Sequence, residues 1–486
     1  MRLEQSQGTD DLRTSVEAGS SLGEATPDFP TIKSSQSDFG DARRGRRWVN
    51  RIVSTAGVAA LLGAASCGNT YRPVVATIGV VGPAGQPQKY AVAVSSPSPS
   101  SNGLMTLVDF SGDSVLVTAT LGVNPYFLWV NGSGTTGYTL NSDKTVTSFD
   151  ISTSLISSQV LQSTLPVGSN PVSLYASSTS SYISDGGVNA IDQMTGTPPA
   201  LKQELPVPTG YTPVYVVSQP NATRLYAIAQ STSGGLGQAV AIEANGNTIS
   251  ANLPVGHAPV YGVMTVDGRR AFVMNQGDGT ISVINSQNNL LDTPLNTIPV
   301  GTRPVWADLA SGLNELVVAN EGDGTTTPGS LTVVNIPLCS ATVQVNNPNC
   351  NPTNPIDANT FGQVLATVPV GINPIMVTVL SDYTRAYVAN EGNPNLPCAP
   401  NGVAVPGVST TCTVSVVNLS TNTVTATIPI NGHPIYIAST NSTPTGKVYV
   451  VCNDSQVMTV IRTDTDAVTT TIPLQGYGVS VRVTAP

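Results

Sequence analysis

The chain has 486 residues, a formal net charge of −9 and a charged fraction of only 10%, against a usual share of about 25%. Its polarity comes instead from Thr, Ser, Asn and Gly, with 37 prolines and 45 glycines. An acidic surface poor in lysine repels phosphate backbones and is not drawn to anionic lipid, which argues against nucleic-acid partners and direct membrane adsorption.

Residues 1–42 are polar and aperiodic and read as a disordered leader. Arg43, Arg44, Arg46, Arg47 and Arg51 then precede an apolar run from Ile52 to Ala65, which ends at Ser66-Cys67-Gly68. A basic stretch, a short apolar run and small residues make 43–66 a signal peptide. The run is shorter than the ~20 residues that span a bilayer. Residues 67–72 then form a linker, and 73–486 the folded body.

The body alternates short runs rich in Val, Ile and Thr with turns of Gly, Pro and Asn, so it is expected to be all-β. One phrase recurs along it: Leu165-Pro166-Val167-Gly168-Ser169-Asn170-Pro171, then Leu253 to Pro259, Ile298 to Pro304 and Val368 to Pro374, with looser copies elsewhere. Its closing prolines fall at 125, 171, 213, 259, 304, 374 and 434. A period near 45 residues with short strands indicates a β-propeller with one four-stranded antiparallel blade per repeat. Within residues 260–303 the four strands are expected at Val260–Val266, Arg269–Asn275, Thr280–Asn285 and Leu295–Val300. Second strands count to eight, and Val479 to Val483 aligns with first strands. Eight blades are therefore expected, closed by the C-terminal strand; the alternative is seven, with a degraded repeat packed outside.

Two intervals are long, 70 and 60 residues, and each contains a cysteine pair: Cys339 and Cys350, then Cys398 and Cys412. A crosslink closing 10 to 14 residues within each stabilises by roughly 3 kcal/mol in the chain-entropy model, and disulfides persist in oxidising compartments. Other pairings of the four remain open. Cys452 is left over in a strand and is expected to pack as a small buried hydrophobe.

Fourth-to-first and second-to-third connections of a propeller share one face. That face is expected to bind, and would carry Asp278, Glu321, Asp323, Glu391, Arg303, His257 and His433, with the insertion from Gly392 to Thr411. The two histidines, three blades apart and without a third His or Cys, read as polar corner residues rather than metal ligands or catalysts. The loops Gln276 to Thr280 and Glu321 to Thr325 offer one or two carboxylates each, too few for a six-oxygen calcium cage. No cofactor is expected, calcium remaining the one candidate. Trp306 reads as blade packing rather than channel lining. No nucleophile elbow, phosphate loop or dinucleotide fingerprint stands in context.

Two resemblances follow from these residues. Tyr387-Val388-Ala389-Asn390, Phe272-Val273-Met274-Asn275 and Val317-Val318-Ala319-Asn320, with third strands such as Ile281 to Asn285 and Val414 to Asn418, resemble the YVTN-repeat propellers. Ala64-Ala65-Ser66-Cys67 resembles a bacterial lipobox, with Ala64 where Leu is usual. The second implies lipid attachment at Cys67, membrane contact only through that anchor, and a cell-envelope location, with Gly68 suiting the outer membrane. The first implies the fold but serves many roles. The expected function is a non-enzymatic binding or scaffold module for an envelope protein, peptide or glycan. The alternatives are a lactonase or quinone-dependent dehydrogenase, and a surface-layer or cell-wall component.

Overall fold

The computed structural model describes residues 90–151, 160–177, 179–220, 222–293, 295–337, 360–399, 402–440 and 446–484. The leader, the signal segment with Cys67, residues 73–89, and Cys339 and Cys350 lie outside these residues. The described part is all-β and forms eight antiparallel sheets. We number these blades 1 to 8 in chain order. Blade 6 illustrates the plan: Pro304–Ala310 lies innermost, followed outward by Glu315–Asn320, Pro328–Asn335 and Val364–Ile372.

Blade 1 is assembled from both ends of the chain. Tyr90–Ser96, Asn102–Asp109 and Ser114–Val123 supply three strands, and Tyr477–Val483 supplies the innermost one. Ala91 pairs with Val483 and Val94 with Ser480. Thr484 N–H donates to the Tyr90 carbonyl at 2.9 Å, and Tyr90 N–H donates to Thr484 Oγ1 at 2.9 Å. Each innermost strand touches the next, and Pro434–Ser439 of blade 8 touches Tyr477–Val483. The ring thus has eight blades, the degraded N-terminal repeat included. Closure by the last strand removes the open edge that a linear stack would leave.

The expected second strands appear throughout, including the degraded ones at Thr136–Asn141 and Ser180–Asp185. The fourth strand of blade 5 differs from expectation. It is split into Leu290–Leu291 and Thr297–Pro299, both paired with Thr280–Asn285. Asp292 sits between the halves and binds Arg270 Nε at 2.8 Å.

The motif residues of the second strand hold both neighbouring blades. Tyr226, Phe272, Tyr387 and Tyr449 are fully buried. The tyrosine hydroxyls reach forward to the outer turn of the next blade: Tyr226 to Asn289, Tyr449 to Asp113 and Tyr387 to Asp466. Each of those turn residues has a positive φ. Phe272 has no hydroxyl and packs on Phe361 instead. The motif asparagines Asn141, Asn275, Asn320 and Asn390 are also fully buried. Their Nδ2 groups donate to third-strand hydroxyls, for example Asn390 to Thr413 and Ser415 at 3.1 and 2.9 Å. Cys452 takes the asparagine position in blade 8 and is buried in an apolar cluster. Burial pushes its thiol pKa upward, as suits a packing residue.

Candidate functional site

The residues expected on the corner face lie in fourth-to-first and second-to-third connections, and they pair locally. Asp278 accepts from His257 N–H at 2.7 Å and lies 2.8 Å from His257 Nδ1. Arg303, at φ 57°, lies 2.7 Å from Glu321, which also accepts from Gln276. Asn373 donates to Glu391 at 2.7 Å, and burial raises the pKa of that carboxyl. Asp323 accepts from the Thr326 hydroxyl and from the backbone N–H groups of Thr325, Thr326 and Thr327. These bonds hold its carboxyl well below the usual range. Its oxygens are thereby committed to its own turn.

The two histidines differ in setting. His257 is 47% exposed at the blade 4 to 5 corner, whereas His433 is buried at the blade 7 to 8 corner. His433 Nδ1 lies 2.8 Å from the Glu391 carbonyl, so Nδ1 carries the proton. Cys398 and Cys412 form a disulfide with a Cα–Cα distance of 5.5 Å. His433 Nδ1 stands 3.6 Å from Cys412 Sγ. Among the described residues, Cys398, Cys412 and His433 are the one cluster with metal-ligand spacing. As a disulfide the sulfurs offer no thiolate, so in this state the cluster is a crosslink beside an imidazole. It ties the insertion to the residue just before the third strand of blade 7, next to the blade 8 corner, and leaves Val403, Val405 and Val408 exposed.

The more distinctive site lies on the channel axis. Two positions of each first strand face inward, at the second and fourth residues after the corner proline. They give an inner tier of Phe127, Tyr215, Tyr261, Trp306, Met376 and Tyr436, with serines in blades 3 and 1. The next tier includes Trp129, Tyr175, Asp308, Thr378 and Arg482. Trp306 stacks on Tyr261 at 4.0 Å and meets Tyr436 edge-on at 5.9 Å. It does line the channel, while also packing against the cores of two blade interfaces. A first-strand tryptophan therefore serves both roles that the sequence set against each other.

Of these, Tyr261, Trp306, Met376, Tyr436, Asp308 and Arg482 border a cavity of about 640 Å³, within the range of small-molecule sites. Its rim includes Ser311, Ser381 and Thr440, which follow first strands. It therefore opens on the face opposite the corner residues. Arg482 is the one cation of the two tiers. Its guanidinium lies 5.1 Å from the Trp129 ring centre and 5.0 Å from that of Tyr436. No carboxylate forms an ion pair with it among the described residues. Arg482 Nε, Trp129 Nε1 and the Tyr436 hydroxyl are buried without a hydrogen bond of good geometry. Asp308 is the one acid of the tiers. It accepts from Leu309 and Val379 N–H at 2.8 Å each. Burial nonetheless pushes its pKa up to about 6. Tyr215, Tyr261 and Tyr436 are raised by burial and stay neutral phenols.

Sequence reasoning missed Arg482 and Asp308. The signal was available: counting two and four residues on from each corner proline, or from Gly478 in the closing strand, returns the inward positions.

A second buried acid site lies in blade 3, where Asp185 replaces the motif asparagine and Asp192 the third-strand hydroxyl. Both are fully buried. Asp185 Oδ1 accepts from the N–H groups of Asn170, Gly187 and Val188. Its Oδ2 and both oxygens of Asp192 lack partners. Burial first, and then Asp185 and Glu204, push Asp192 up to about 7. Two ionised carboxylates cannot hydrogen-bond to each other, so the pair is satisfied when they share a proton.

No family model and no curated protein matches the sequence. The fold does have solved counterparts. The dihydro-heme d1 dehydrogenase NirN, in complex with DHE, is similar with a TM-score of 0.57 and 12% identity, over 81% of this chain and 74% of that one. Apo AztD from Citrobacter koseri is similar with a TM-score of 0.53 and 12% identity, over 81% of this chain and 97% of that one. At such identities the likeness shows the propeller fold and leaves function open.

Proposed function

We propose that this chain is an exported, envelope-anchored propeller of the YVTN-repeat type, lipidated at Cys67, that works by binding a partner rather than by catalysis. Its principal ligand site is the central cavity. The observation that carries this reading is Arg482: a guanidinium held between two aromatic rings beside an open cavity, with no carboxylate paired to it. Asp308, the one acid of the cavity, turns both oxygens onto backbone N–H groups, so the guanidinium has no direct ion-pair partner. A desolvated cation in that state is costly, and a ligand carboxylate paired with it offsets the cost. The exposed valines of the crosslinked insertion, on the opposite face, provide a second contact area for an envelope protein, peptide or glycan.

The binding reading is tested by whether Trp129 and Trp306 fluorescence responds to small organic acids and sugars, and whether Trp306→Ala removes the response. A silent cavity across charged and neutral compounds overturns it. Anchoring is tested separately by fatty-acid labelling of the cells. Labelling should disappear with Cys67→Ser, and unchanged labelling refutes attachment there.

A second reading, hydrolysis of a lactone, is favoured by Asp308. A carboxyl with a pKa near 6 in a cavity beside a cation is suited to general acid–base work. Lactone turnover lost in Asp308→Asn would establish it.

A further inference from the structure

We infer that the central cavity takes a small organic anion whose carboxylate is attached to a ring with an apolar face, the carboxylate pairing with Arg482 and the ring packing on the aromatic belt. This rests on the central cavity being the ligand site. Three features of the cavity carry it. The first is charge: of the inward positions in the two tiers, one carries a cation and one an acid. The acid has both oxygens turned onto backbone N–H groups, whereas Arg482 Nε has no partner. A guanidinium presents a planar fork that matches a carboxylate with two parallel hydrogen bonds.

The second is shape. On the cavity wall Tyr261 and Trp306 stack with centroids 4.0 Å apart and Tyr436 meets Trp306 edge-on; Tyr215 lies 4.7 Å from Tyr261. Such a wall favours a flat, apolar face over a branched or globular one. The third is polar completion. The Tyr436 hydroxyl, beside the guanidinium and without a hydrogen bond of good geometry, and the Thr378 and Ser439 hydroxyls, 2.9 Å apart, lie on the cavity wall. A ligand with ring oxygens or hydroxyls beside its carboxylate uses these groups. Sugar acids and aromatic acids share the required chemistry.

The test uses the purified full chain and calorimetric titration with two matched pairs: D-glucuronate beside D-glucuronamide, and benzoate beside benzamide. At least one carboxylate should bind about 10- to 100-fold more tightly than its amide, the range for a hydrogen bond to a charged group. Which pair shows the preference identifies the source as a sugar acid or an aromatic acid. Arg482→Gln should erase the preference while leaving amide binding in place, and Arg482→Lys should restore it only in part. Ligand-free Arg482→Gln should melt no lower than the parent, since it removes a desolvated charge. If the variant does not fold, the parent titrations still decide. Equal binding of acid and amide overturns the anion inference but keeps the cavity as the ligand site. Absence of binding by all four compounds overturns the inference. If the Trp129 and Trp306 fluorescence of the parent is also silent towards every compound tried, the cavity reading fails with it.

Discussion

Gly371 N–H donates a hydrogen bond of 3.1 Å to Oδ1 of Asn390, joining the last strand of blade 6 to the second strand of blade 7. Gly256 makes the same bond to Asn275 at 3.0 Å. The repeated Pro-Val-Gly phrase and the buried asparagine of the second strand are therefore two halves of one joint. The glycine is required by proximity: a Cβ at Gly371 would stand 2.7 Å from Asn390 Cβ, and at Gly301 2.6 Å from Asn320 Cγ.

Gly371→Ala should destabilise the ring by roughly 1–3 kcal/mol through overpacking. Asn390→Ala should cost a similar amount by leaving the Thr413 and Ser415 hydroxyls and Gly371 N–H short of a partner. Because the two residues form one contact, their double mutant should cost less than the sum. Urea denaturation of the four proteins measures this, and strict additivity would contradict the joint.

The tyrosine of the motif makes the forward contact. Tyr387→Phe should lose about 1–2 kcal/mol with the bond to Asp466, whose carboxylate also holds Arg385. Phe272 occupies the same position without a hydroxyl, so the ring itself is tolerated. Thermal denaturation of Tyr387→Phe alone and with Asp466→Ala checks the coupling.

The buried acid pair gives stability a pH dependence of known sign. Asp192 has a folded pKa of about 7, above its unfolded value near 3.9. Its contribution is fully present below about pH 4 and is lost as pH rises through 7. Asp192→Asn should therefore raise stability by roughly 2–4 kcal/mol at pH 8 and change nothing at pH 4. A pH series of melting curves decides, and equal effects at both ends would remove the pair as the cause.

Asp308 sets the pH response of the cavity. The charged and titratable groups sharing the cavity with it are Arg482 and the phenols of Tyr261, Tyr383 and Tyr436, and burial keeps Tyr261 and Tyr436 neutral. As pH falls from 7.5 to 5.5, Asp308 gains its proton and its repulsion of a bound carboxylate fades, so anion affinity should rise. Asp308→Asn should raise affinity at pH 7.5 and flatten the dependence. Titrations at the two pH values measure both effects.

Reducing the Cys398–Cys412 crosslink should loosen the insertion while the ring persists. Its closure is worth roughly 3 kcal/mol in the chain-entropy model, and the flanking strands keep their own ladders. Hydrogen exchange should speed up within 391–412 under a dithiol reductant and stay unchanged in 413–418. Faster exchange in the strand as well would show that the crosslink supports the blade.

The repeat was legible in the sequence because each blade solves the same packing problem with the same residues at the same spacing. The corner proline, the close-approach glycine, the buried asparagine and the alternating valines all recur, and the replacement of asparagine by Cys452 stood out against them. Hence the eight blades, the closing strand and the two insertions could be read directly. The pairing of Tyr387 with Asp466 could not, since it joins different blades 79 residues apart. Nor could the split fourth strand of blade 5, where Asp292 between the halves pairs with Arg270 from the second strand.

What the sequence determined by itself was periodic: strand order, blade count and the positions that must be small or buried. What tertiary structure decided was convergence. Arg482 stands near the chain's end and Trp129 near the start of the ring, and only closure through Tyr477–Val483 brings them within 5.1 Å. The physical reason is the geometry of the propeller. Each blade is specified locally by its own alternation, but the channel is built from one or two side chains of every blade. Its chemistry therefore comes from an assembly of positions spread over the whole chain.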